Sequence, residues 1–91
     1  MLKLFVSSLC PHCPPAIETV KRENLKCEII DITASMQNLK QFLSYRDKCE
    51  YFDDVKAQGR VGIPTVMIDD GKEFFSFEEN VDIDFLRKHQ D

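Results

Sequence analysis

Two short apolar segments bracket one amphipathic segment at the start of the chain, and that order restricts the fold more than any other feature. Leu2–Val6 is almost wholly apolar and stops at Ser7-Ser8, which predicts a short strand buried on both faces and so a central one. Ala16, Ile17, Val20 and Leu25 then recur at near-helical intervals among Glu18, Lys21, Arg22 and Glu23, predicting a helix that fades by Asn24. Residues 27–32, Cys-Glu-Ile-Ile-Asp-Ile, read as a second strand. A strand, a helix and a strand in that order call for a right-handed crossover and a parallel pair. With 91 residues the chain supports one hydrophobic core and not two, so residues 1–91 are read as one domain.

Beyond the crossover, Thr33 or Ser35 can cap a second helix whose apolar stripe is Met36, Leu39, Phe42 and Leu43. Tyr51, Phe52 and Val55 continue it after a break near Lys48-Cys49, and Gly59 stops it. Residues 63–68 form a third strand and residues 72–77 a fourth, joined at Asp70-Gly71 as an antiparallel hairpin with a two-residue turn, because glycine accepts the positive φ such turns need. Val81, Ile83, Phe85 and Leu86, followed by Arg87, Lys88 and His89, predict a short last helix with cations at its C-terminal end. The fold class is α/β with the order βαβ, α, ββ, α.

The chemistry-bearing motif is Cys10-Pro11-His12-Cys13, placed between the first strand and the first helix. Disulfide exchange needs a thiolate, and a thiol at a helix N-terminus meets unpaired backbone N–H groups and the positive end of the dipole, both of which favour the anion. Cys10 occupies that place as nucleophile, with Cys13 a turn deeper as the resolving thiol. Pro11 suits the first helical position, where its missing N–H costs nothing. His12 can add positive charge beside the thiolate and so tune the pair. Pro14-Pro15, directly after Cys13, predict a late or irregular helix start. The competing readings are a structural pair, or zinc held with Cys27 and Cys49; those two do not form the second C-x-x-C that zinc sites usually show. Cys27 and Cys49 are read as packing or idle thiols.

Three features together resemble the glutaredoxin family: Cys10-Pro11-His12-Cys13 after the first strand, Val61-Gly62-Ile63-Pro64-Thr65 entering the third, and the Asp70-Gly71 hairpin. The resemblance implies a thioredoxin-like domain with a four-stranded mixed sheet flanked by helices. It also implies that Pro64 is a cis-proline facing the redox pair, that Ile63 offers its backbone to a bound peptide or to glutathione, and that Arg60 pairs with the glycyl carboxylate of glutathione. The activity implied is thiol-disulfide oxidoreduction on protein disulfides or glutathione-mixed disulfides, with no bound cofactor and glutathione as the reductant. Cys-Pro-His-Cys is also similar to the active site of the bacterial periplasmic disulfide-forming oxidant, which implies a more oxidising pair than the Cys-Pro-Tyr-Cys usual in glutaredoxins. The family's Gly-Gly after the fourth strand is replaced here by Phe75-Ser76-Phe77-Glu78-Glu79-Asn80, where a carboxylate repels a carboxylate ligand. That departure favours a flavoprotein reductase as the alternative donor. A third reading is a non-catalytic thioredoxin-fold module that holds a metal or cluster.

A net charge of −4 with no basic cluster argues against nucleic acid and anionic membrane as partners. The N-terminal apolar run is too short for a signal-peptide core or a membrane span, so the expected location is the cytoplasm. The expected state is a monomer. His89 and the acidic pairs Asp69-Asp70 and Glu78-Glu79 read as solvated faces and turns.

Overall fold

In the computed structural model, which describes residues 1–78 and 81–90, the first strand alternates its side chains between two cores. Strand β1 (Leu2–Val6) sends Leu2, Leu4 and Val6 to one face of the sheet and Phe5 to the other. Glu79, Asn80 and Asp91 lie outside the described residues, and with them part of the acidic segment read in place of the glycine pair.

The first face is covered by helix α1 (Cys13–Arg22) through Cys13, Ala16 and Val20, and by helix α4 (Ile83–Arg87) through Leu86. The second is covered by helix α2 (Met36–Arg46) through Phe42 and by a 3-10 turn (Glu50–Phe52) through Phe52, with helix α3 (Asp53–Ala57) following directly. Phe5 and Phe42 pack with ring centroids 5.2 Å apart, and Phe52 meets Phe74 edge to face at 5.0 Å. Met36 is 67% exposed and Leu39 and Leu43 are only half-buried, so Phe42 is the one fully buried residue of the α2 stripe. Ser35 is its N-cap, accepting the Asn38 N–H at 3.0 Å.

Strand β2 (Cys27–Asp31) runs parallel to β1, and strands β3 (Thr65–Ile68) and β4 (Glu73–Ser76) complete a sheet of order β2-β1-β3-β4. Pairs β1–β3 and β3–β4 are antiparallel. This four-stranded mixed sheet with helices on both faces is the thioredoxin-like arrangement expected from the sequence. Two details differ. The β3–β4 loop spans four residues, since Ile68 pairs with Glu73, and Asp69, Asp70 and Gly71 all take positive φ. Strand β3 opens at Thr65 instead of residue 63, because Pro64 has no N–H for the ladder. Among the described residues no helix is long and apolar enough to cross a membrane.

Candidate active site

The C-terminal ends of β1 and β2 and the start of α1 converge on one residue, Ser7, which is 4% exposed. Its backbone serves both cysteines of the C-x-x-C. The Ser7 carbonyl accepts the Cys10 N–H at 3.1 Å, and the Ser7 N–H donates to Cys13 Sγ at 3.4 Å. The Cys13 N–H in turn donates to the Cys10 carbonyl at 3.3 Å, closing a tight turn over residues 10–13.

The Ser7 side chain is fixed as firmly. Thr33 donates both its N–H and its hydroxyl to Asp31 Oδ1, at 2.9 and 2.7 Å. With the Thr33 proton committed there, the 2.8 Å contact between the two hydroxyls has Ser7 as donor and Thr33 as acceptor. Ser7 Oγ accepts the Leu9 N–H at 3.1 Å. A directed chain thus runs from the Cys10–Cys13 turn through two hydroxyls to a carboxylate at the end of β2. The Thr33 hydroxyl first, and then its N–H, hold the Asp31 carboxyl below its ordinary value, so the chain ends on an anion.

Cys13 is the first residue of α1 and is fully buried, whereas Cys10 lies three residues earlier and is part-exposed. Burial pushes the Cys13 thiol from 9.0 up to about 12, and a hydrogen bond with Cys10 adds to the rise. Cys13 is therefore held protonated at neutral pH. The helix starts later than the position expected for Pro11: His12 is the N-cap, Pro11 sits in the preceding turn, and Pro14 and Pro15 occupy the first helical turn. Those two prolines carry no N–H, so the first turn presents fewer donors toward Cys10 than an ordinary helix would.

The Ile63–Pro64 peptide is cis, and Pro64 is buried. An open cleft of about 510 Å³ runs beside Cys10, lined by His12, Ile32, Arg60, Val61 and Ile63 and rimmed by Leu9, which is 81% exposed. A second cleft, of about 310 Å³, lies on the other side of His12, Arg60 and Ile63, and takes in Pro64, Ser76 and Glu78. Cys10, His12, Arg60, Ile63 and Pro64 are thus brought together; Pro11 lines neither cleft.

Cys27 pairs with Leu2, at the opposite end of β1 from the Cys10–Cys13 turn, and burial pushes its thiol up to about 12. Cys49 precedes the 3-10 turn on the other face of the sheet. No group of three or more His, Cys, Asp or Glu among the described residues is arranged to hold a metal ion. Reading the residues in order passed over Ser7, Thr33 and Asp31. Their only local signal is Ser7-Ser8 ending a strand, because what joins them is the parallel register, Val6 opposite Asp31, between segments far apart in the chain.

The sequence model of the family described as Glutaredoxin matches residues 2–73, a span that holds both cysteines and the cis-proline. An uncharacterised protein of Haemophilus influenzae is 35% identical over 68 residues, covering 75% of this chain and 79% of that one. No solved structure matches the chain.

Proposed function

The chain belongs to the glutaredoxin family, and from that premise we propose that it is a cytoplasmic, monomeric thiol-disulfide oxidoreductase that reduces protein disulfides or glutathione-mixed disulfides through Cys10 and Cys13. The observation that carries this reading is the asymmetry of the pair: one thiol open to a cleft lined by Ile63, the residue before the cis-proline, the other buried and held protonated.

The two thiols then act in a set order. The Cys10 thiolate attacks one sulfur of the substrate disulfide; the substrate's other sulfur leaves as a thiolate and takes up a proton. Cys13 next loses its proton and attacks Cys10 Sγ, forming the Cys10–Cys13 disulfide and expelling the second substrate thiol. Two electrons pass from the protein dithiol to the substrate. Cys10 itself contributes to holding the proton on Cys13, by hydrogen bond and by charge. Both contributions vanish once Cys10 is capped in the mixed disulfide, so the resolving thiol becomes easier to ionise at the moment it is needed. His12 and Arg60 line both clefts, and the Arg60 guanidinium supplies positive charge around the attacked disulfide, while Ile63 and Pro64 supply the platform for the substrate. Pro11 shapes the turn between the thiols.

Glutathione is the reductant that the family suggests. A flavoprotein reductase is favoured instead by one observation: Glu78 lines the cleft beside Pro64, placing a carboxylate where a carboxylate-bearing tripeptide would lie. The test is to offer oxidised glutathione to the reduced protein, identify the reacting cysteines by mass spectrometry, and ask whether glutathione or a reductase restores them. We expect a mixed disulfide on Cys10 that accumulates in Cys13→Ser and is absent in Cys10→Ser. A Cys10 that alkylates no faster than free cysteine and never pairs with Cys13 would overturn the proposal.

A further inference from the structure

The wall of the larger cleft is not self-supporting. Residues 59–63 leave α3 and reach the cis peptide without belonging to any helix or strand. Their start is tied to α3: the Gly59 N–H donates to the Lys56 carbonyl at 3.0 Å and the Arg60 N–H to the Val55 carbonyl at 2.8 Å. Their end is tied by the Thr65 hydroxyl, which donates to the Gly62 carbonyl. Between these ties stand Arg60 and Val61, both exposed, with Val61 at 51%.

That middle part is held from behind by a side chain from α2. Arg46, the last residue of that helix, donates Nε–H to the Val61 carbonyl at 2.8 Å and Nη2–H to the Arg60 carbonyl at 2.6 Å. Two successive carbonyls thus share one planar guanidinium, a charge-assisted fork that a lysine cannot reproduce. With the carbonyls turned back toward α2, Val61 and Ile63 line the cleft next to Cys10, and the exposed Leu9 stands on the same cleft. Arg46 touches neither cleft.

We propose that Arg46 is a positioning residue for the substrate: it holds the Arg60–Val61 wall in the form that receives a polypeptide disulfide, and it acts on substrate docking without acting on the thiols. The inference rests on the redox reading of Cys10 and Cys13. A polypeptide lying along the cleft needs the wall in place before it binds, whereas a small aromatic disulfide needs only access to Cys10.

The test compares two substrates in Arg46→Lys and Arg46→Gln. With insulin as the polypeptide disulfide and dithiothreitol as the reductant, KM is expected to rise about fivefold to tenfold while kcat stays within about twofold. The rate of reaction with 5,5′-dithiobis(2-nitrobenzoate), read by released thionitrobenzoate, should stay within about twofold of the parent. Arg46→Lys, which retains the charge but offers a single donor nitrogen in place of two, should fall between the parent and Arg46→Gln. An unchanged KM for insulin would overturn the proposal, as would an equal loss on both substrates, which would make Arg46 a general support of the fold. A parent protein inert toward both disulfides would instead remove the redox reading itself, and this inference with it.

Discussion

In the reduced protein at neutral pH, iodoacetamide should consume Cys10 long before it touches Cys13. Cys13 has no exposed surface, and its thiol is pushed from 9.0 up to about 12. Each pH unit between the two values lowers the thiolate population tenfold, so the reactive form of Cys13 falls by about 1000-fold relative to the same residue in the unfolded chain. Burial adds a steric barrier that acts in the same direction. The assay is timed alkylation of the native protein, followed by denaturation, a second label of different mass, and peptide mass spectrometry; the reference rate comes from the chain in guanidinium. Cys10→Ser supplies a second arm. It removes the Cys10 charge but leaves the burial and a hydroxyl able to hydrogen-bond, and Cys10→Ala removes the hydrogen bond as well, so Cys13 labelling should accelerate in both, more in Cys10→Ala, while remaining far below the unfolded rate. Native labelling of Cys13 within about tenfold of the unfolded rate would refute the argument.

Three more predictions draw on other parts of the molecule. Gly62 has φ of +99° and a Cβ there would stand 3.2 Å from both Phe52 and Val55, so Gly62→Ala should lower stability by about 1–3 kcal/mol in a urea titration; a change under about 0.5 kcal/mol would contradict the packing. Cys13 and Cys27 both bind their protons more tightly folded than unfolded, so stability is intact below pH 9 and falls as pH rises toward about 12. Melting temperature should drop over that interval, with a shallower slope in Cys27→Ala; identical slopes would exclude Cys27 as a contributor. His12→Tyr should make the reduction potential more negative, by about 10–30 mV for so exposed a side chain, when titrated against a glutathione buffer. No shift would remove His12 as a tuning residue.

The parts of the fold that were legible in the sequence are those governed by local periodicity. Leu2–Val6, the α1 stripe and the β2 run each report their own burial, and together they dictate the parallel crossover. The helix start was less legible, since Pro11, Pro14 and Pro15 all compete for positions at or near its first turn, and a local reading has no way to see the turn closed by Ser7. The β3–β4 turn is longer than the two residues expected because Asp69, like Asp70 and Gly71, takes positive φ, which a residue other than glycine rarely does. Cys10, Cys13 and Pro64 carried recognisable patterns. Asp31, Thr33 and Arg46 carried none, being polar residues whose partners lie elsewhere in the chain: Asp31 and Thr33 reach Ser7, and Arg46 reaches Arg60 and Val61.

The pairing of β1 with β3 has a further meaning. Cys10 and Cys13 hang from the end of β1, and the cis-proline leads directly into β3, so the two halves of the cleft come from segments more than fifty residues apart. They meet only when Leu2, Lys3, Leu4 and Phe5 zip against Ile68, Met67, Val66 and Thr65. A nascent chain that has emerged as far as α3 already carries the thiols but no surface to receive a substrate. Disulfide exchange along this cleft would then switch on late in synthesis, and its appearance during refolding would report the closing of the sheet.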